Sequence, residues 1–110
     1  VENKRKFIKN LMRKKDEQFS NLMKYCLNGK RENFKNIEKF LCMLRETSSM
    51  FGYKELVEMS RELYLCLILY GDSAKKDKDL LLKILSLYSG IYAEIKELNK
   101  DIAYADAIAK

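Results

Sequence analysis

The sequence has no histidine, no proline and no tryptophan, and only four glycines and three cysteines among its 110 residues. Without imidazole it cannot form a phosphohistidine or relay protons through a group that titrates near neutrality. It also lacks the nitrogen ligands of the common zinc sites. Cys26, Cys42 and Cys66 make no CxxC pair, and an odd number closes no disulfide framework. Three thiols are too few for an all-cysteine site of four ligands, so neither a metal nor any other cofactor is expected. Reduced cysteines suit the cytoplasm. The longest apolar run, Leu63 to Tyr70, falls far short of the roughly 20 residues a spanning helix needs, so no membrane partner is expected. Nothing resembles the charged, apolar and small-residue succession of a secretory signal. The chain opens on Val1 rather than methionine, which reads as a piece of a longer protein.

Hydrophobic residues make up 47% of the chain and charged residues 35%. That mixture is too apolar for disorder, and the length suffices to bury one core without covalent staples. The net charge is +6, with Lys4, Arg5, Lys6, Lys9, Arg13, Lys14 and Lys15 crowded into the opening segment. A cluster of this kind can attract phosphates or an acidic protein. A solvated helix face is the plainer reading. Nucleic-acid binding is not expected, because no aromatic platform or groove-reading helix accompanies the charge.

With proline absent, glycine supplies the punctuation. Gly29, Gly52 and Gly71 fall between stretches of helical period, where glycine readily ends a helix in the left-handed conformation, while Gly90 lies inside one. The first stretch carries two short apolar stripes, Phe7, Ile8, Leu11 and Met12, then Phe19, Leu22, Met23 and Cys26. The wholly polar Arg13 to Gln18 separates them, so this first helix either bends or breaks in two. The second stretch has Asn33 as a candidate N-cap and repeats Phe34, Ile37, Leu41, Leu44, Ser48 and Phe51, widened by Phe40. The third repeats Leu56, Met59, Leu63, Cys66, Leu67 and Tyr70; Leu65 and Ile68 fall off its core stripe, needing either deep burial or a covering partner. The fourth, after Gly71-Asp72-Ser73, holds a seam of Leu81, Ile84, Tyr88, Ile91, Ile95, Leu98 and Ile102. Short links between amphipathic helices imply an all-α fold, an antiparallel up-down four-helix bundle over residues 1–100. Residues 101–110 read as a helical extension or connector.

From the second stretch onward the residues resemble the histidine phosphotransfer (HPt) family. That family's pattern leads through apolar residues into His-x-Leu-Lys-Gly-Ser-Ala, with a glycine closing the turn before the next helix. Here Phe34, Ile37, Phe40 and Leu41 lead into Cys42-Met43-Leu44-Arg45-Glu46-Thr47-Ser48, and Gly52 stands at the turn. Leu56, Ser60 and Leu63 fall where the family prefers Leu, Ala and Leu. Gly71-Asp72 precedes the last helix, and Leu81, Leu85 and Tyr88 match its apolar signature. The resemblance spans about Phe7 to Ile95. It implies a two-component signalling module built on a four-helix bundle, whose partner is the receiver domain of a response regulator.

The departures shape the functional expectation. Cys42 occupies the phospho-acceptor position, and Arg45 keeps the positive charge of the motif's lysine. Glu46 replaces the small glycine that would let a receiver approach. Independently of the resemblance, helical spacing sets Glu38, Cys42, Arg45 and Ser49 on a mostly polar stripe beside the core face of Leu41 and Leu44, so Cys42 should be partly accessible. Cys26 and Cys66 fall on apolar stripes and read as core thiols. The expected function is a regulatory or receiver-binding domain that has lost its acceptor and does no catalysis, docking through Glu38, Cys42, Arg45, Glu46 and Ser49. The alternative is a regulatory bundle that forms homodimers and has no receiver partner.

Overall fold

A computed structural model describes residues 2–72 and 77–109, the side chain of Asp72 apart. Among these residues the chain is entirely helical, with no strand: α1 Glu2–Arg13, α2 Lys15–Asn28, α3 Arg31–Phe51, α4 Lys54–Asp72 and α5 Lys78–Ala109. The first stretch is therefore two helices, and the break falls at Lys14 inside the polar interval. Lys14 N–H is shared between the carbonyls of Asn10 and Leu11, each at 3.2 Å. Carbonyls on either side of the break also accept from side chains. Tyr92 O–H donates to Leu11 O at 2.8 Å, and Tyr88 O–H donates to Lys15 O. Two tyrosines of α5 thus tie down the backbone on both sides of the break, each hydrogen bond contributing about 0.5–1.5 kcal/mol.

Gly29 and Gly52 close α2 and α3 in the left-handed region, at φ 63° and 77°. Their N–H groups return to Tyr25 O and to Ser48 and Ser49 O. Gly71 behaves differently from the expectation. It lies within α4, where its missing Cβ leaves room for the Tyr25 hydroxyl, so close approach and not turn geometry requires glycine. Ser73 lies outside the described residues. Asn33 does not cap α3, which begins two residues earlier; its side-chain amide donates instead to Asn21 Oδ1 at 3.3 Å, linking α2 to α3. Asp77 Oδ1 accepts from the N–H groups of Asp79 and Leu80, capping the start of α5.

From α2 onward consecutive helices run antiparallel, while α1 and α2 follow each other in one direction. Asn33 meets Asn21 across α2 and α3, Tyr64 meets Glu38 across α3 and α4, and Lys83 meets Glu62 across α4 and α5. Along α5, Tyr88, Tyr92 and Asp106 reach Lys15, Leu11 and Arg5 in falling order, so α1 and α2 lie antiparallel to it. Leu22, Ile37, Leu44, Leu56, Leu63, Leu67, Ile84, Ile91 and Ile95 are fully buried between them. Each contributes about 1.5–3 kcal/mol by transfer from water. The molecule measures 56 × 23 × 21 Å, its length set by the 32-residue α5. That helix continues unbroken to Ala109, with Ile102 packed on the core and Asp106 paired to Arg5, while Tyr104 and Ile108 are exposed.

No helix among the described residues is long and apolar enough to cross a membrane. Leu65 and Leu69 stay exposed and Ile68 is half-buried, so the apolar run of α4 is only partly covered; Leu82 of α5 is exposed as well.

Candidate functional site at the α3/α4 cleft

Helix α3 presents its core face through Ile37, Leu41, Leu44 and Ser48, all buried. The residues one step around the helix must then lie on the flank facing α4. This flank forms one wall of a cleft of about 310 Å³, built from Glu38, Lys39, Leu41, Cys42 and Arg45, with Ser60 and Tyr64 of α4 opposite. Three of the residues chosen from spacing, Glu38, Cys42 and Arg45, therefore share one cleft. Glu46 and Ser49 are exposed on α3 outside it.

Cys42 is half-buried and its thiol donates to Glu46 Oε1 at 3.4 Å, one turn along the helix. Cys26 and Cys66 are buried, and burial pushes the Cys66 thiol pKa up. Iodoacetamide should accordingly label Cys42 first in the native protein, and all three cysteines only after denaturation. Intact mass followed by peptide mapping checks this; early label on Cys26 or Cys66 would contradict the packing.

Lys39, Leu41, Ser60 and Tyr64 were not singled out by the sequence as site residues. Tyr64 O–H donates to Glu38 Oε2 at 3.1 Å and so ties the two walls together. That hydrogen bond is the main cause raising the Tyr64 pKa; the Arg45 charge acts in the opposite direction. Ser60 is buried, and its hydroxyl donates to Val57 O at 2.9 Å within its own helix. The residue at the motif's alanine position, Ser48, is completely buried, with no hydrogen-bond partner for Oγ among the described residues.

The acceptors and donors of the cleft are unevenly committed. Glu38 in the cleft and Glu46 beside it each accept one side-chain hydrogen bond from within the fold. Arg45 and Lys39 make no ion pair among the described residues. The cleft therefore offers uncommitted cationic donors above the apolar Leu41 and the Tyr64 ring. No group of three or more Cys, Asp or Glu side chains converges as a metal site among the described residues.

No family model, curated protein or solved structure matches this chain.

Proposed function

We propose that this chain is an HPt-like signalling module of the cytoplasm that has lost its phospho-acceptor and binds the receiver domain of a response regulator, as a regulatory domain of a larger signalling protein. On this reading α1 and α2 are one broken rod, and with α3, α4 and α5 they make the four-helix bundle of the family. The observation that carries it is Cys42, half-buried on the α3 flank with Arg45 one turn on and the left-handed Gly52 closing the helix. Those are the motif positions of acceptor, cation and turn, on an accessible surface.

Phosphoryl relay depends on an imidazole nitrogen, whose phosphoramidate is readily re-transferred. A serine ester is too stable for a relay, so the module binds without transferring phosphate. Receiver active sites are acidic, and uncommitted cations on this flank favour encounter with them while Glu46 opposes it.

Isothermal titration against receiver domains encoded beside the gene tests the proposal. Saturable binding is expected, weakened about tenfold or more by Arg45→Glu. No heat at high micromolar protein with any of them would remove it.

A second reading, a homodimerising regulatory bundle without a receiver partner, is favoured by the exposed Leu65, Leu69 and Leu82. Sedimentation at several concentrations separates the two, since a strict monomer excludes it.

A further inference from the structure

The α3/α4 cleft differs from the groove along α1, which is broad, shallow and lined by Lys6, Lys9 and Arg13. It is narrower, better enclosed and more apolar, with about 310 Å³ between two helices. That volume lies at the lower end of the roughly 300–1,000 Å³ of pockets that hold small molecules, and such pockets combine apolar walls with a few convergent polar groups. Here the walls come from Leu41, the thiol of Cys42 and the ring of Tyr64.

The polar groups decide what can enter. An occupant must satisfy donors the fold leaves unmet without competing for acceptors already engaged. Glu38 Oε2 accepts from the Tyr64 hydroxyl and Glu46 Oε1 from the Cys42 thiol, so one oxygen of each nearby carboxylate is engaged within the fold. Arg45 and Lys39 lie on the same cleft and make no ion pair among the described residues. A cationic ligand would meet a single carboxylate, Glu38, beside two like charges, Lys39 and Arg45. An anion would meet a planar guanidinium able to bind a carboxylate through two parallel hydrogen bonds. A neutral apolar ligand would leave both cations unused.

We propose that the cleft is a binding site for a small amphiphilic carboxylate, an aryl or short alkyl acid, whose carboxylate pairs with Arg45 and Lys39 and whose apolar body lies on Leu41 and Tyr64. The site does not depend on receiver docking. A ligand there would nevertheless cover the same flank of α3 around Cys42, so its occupancy would compete with any protein that docks on that flank.

The test uses phenylacetate as probe, with the isosteric neutral phenylacetamide and the cation phenethylamine as controls, added to the ¹⁵N-labelled chain. Phenylacetate should shift the amides of residues 38–46 and 60–64 saturably and slow iodoacetamide labelling of Cys42. Phenylacetamide should bind at least tenfold more weakly and phenethylamine not at all. Arg45→Gln should cost phenylacetate about tenfold in affinity and leave phenylacetamide unchanged, and Lys39→Gln should act in the same direction with a smaller effect. Equal affinity for the acid and the amide, shifts that never saturate, or shifts spread away from α3 and α4 would each overturn the site. None of these outcomes involves a receiver, so failure here and failure of receiver binding are read separately.

Discussion

Between about pH 10 and pH 12 the protein is expected to lose a large part of its stability, because two tyrosines of α5 hold their protons far longer in the fold than in the open chain. Burial raises Tyr92 to about 12, with the neighbouring Tyr88 hydroxyl opposing and the charge of Asp16 adding. Burial likewise pushes Tyr88 well above the ordinary phenol range, helped by Tyr92 and Asp16. Both hydroxyls donate to backbone carbonyls beside the α1/α2 break. A native pKa above the unfolded value means that this stability is complete below about pH 10 and is lost as pH rises toward the folded value, since the unfolded chain ionises first. For Tyr92 alone a rise from the ordinary phenol value to about 12 is worth at most roughly 3 kcal/mol. A domain of this size is stable by only about 5–15 kcal/mol, so the pair decides whether it survives strong alkali.

Denaturant melts from neutral pH upward, followed by circular dichroism, give the slope directly. Tyr92→Phe should be less stable at pH 7 by about 0.5–1.5 kcal/mol, because the hydrogen bond to Leu11 O is lost. It should also fall less steeply above pH 10, so that the two curves converge. If ultraviolet titration of the native protein shows all the tyrosines ionising near pH 10 with no unfolding, the buried α5 contacts are wrong.

These tyrosines also mark where the sequence was readable. The α5 seam from Ile84 to Ile95 and the stripe from Ile37 to Ser48 repeat at helical spacing, and those side chains are buried. Tyr88 fell on that seam, but Tyr92 did not. It is buried with its hydroxyl donating to Leu11 O beside the Lys14 break, a contact that only the folded arrangement creates. Gln18 is a similar case. It stood in a polar interval, yet it is buried where α2 faces α3, accepting from Asn21 Nδ2 at 3.3 Å. Phe19, assigned to an apolar stripe, is instead 42% exposed, its ring tilted at 46° against Tyr88. Periodicity reports which face a residue occupies on its own helix; it cannot report how far the helix has turned after a break.

The cleft divides along similar lines. Glu38, Cys42 and Arg45 share it because they follow one another by threes and fours on α3, a relation contained in the sequence. Tyr64 and Ser60 join from α4, and their alignment depends on the register of two helices set by the turn at Gly52 and by core packing. Lys39 carried no signal beyond being one of many lysines. Its interest comes only from lacking an ion-pair partner on that wall.

Gly71 supplies the second large effect, because there two opposing contributions can be weighed. Replacing glycine by alanine inside a helix ordinarily stabilises by about 0.8–1 kcal/mol through propensity. At this position the new Cβ would overlap Tyr25 Oη and stand 3.3 Å from Tyr25 Cζ. The tyrosine has little freedom to yield. Its ring packs on Phe34 with centroids 4.9 Å apart, and its hydroxyl donates to Leu67 O at 3.3 Å. Overpacking of this kind costs about 1–3 kcal/mol, and displacing the hydroxyl adds about 0.5–1.5 kcal/mol for the lost hydrogen bond. Overlap therefore wins, and Gly71→Ala should destabilise by about 1–3 kcal/mol, read as a lowered midpoint in urea. Tyr25→Phe removes the atom that collides and leaves the ring, so Gly71→Ala in that background should become nearly neutral. The cycle should show a coupling of about 1 kcal/mol or more between the two positions. Strict additivity would mean that Tyr25 does not lie over Gly71. A stabilising Gly71→Ala in the otherwise native chain would mean that this glycine ends the helix with open space around it.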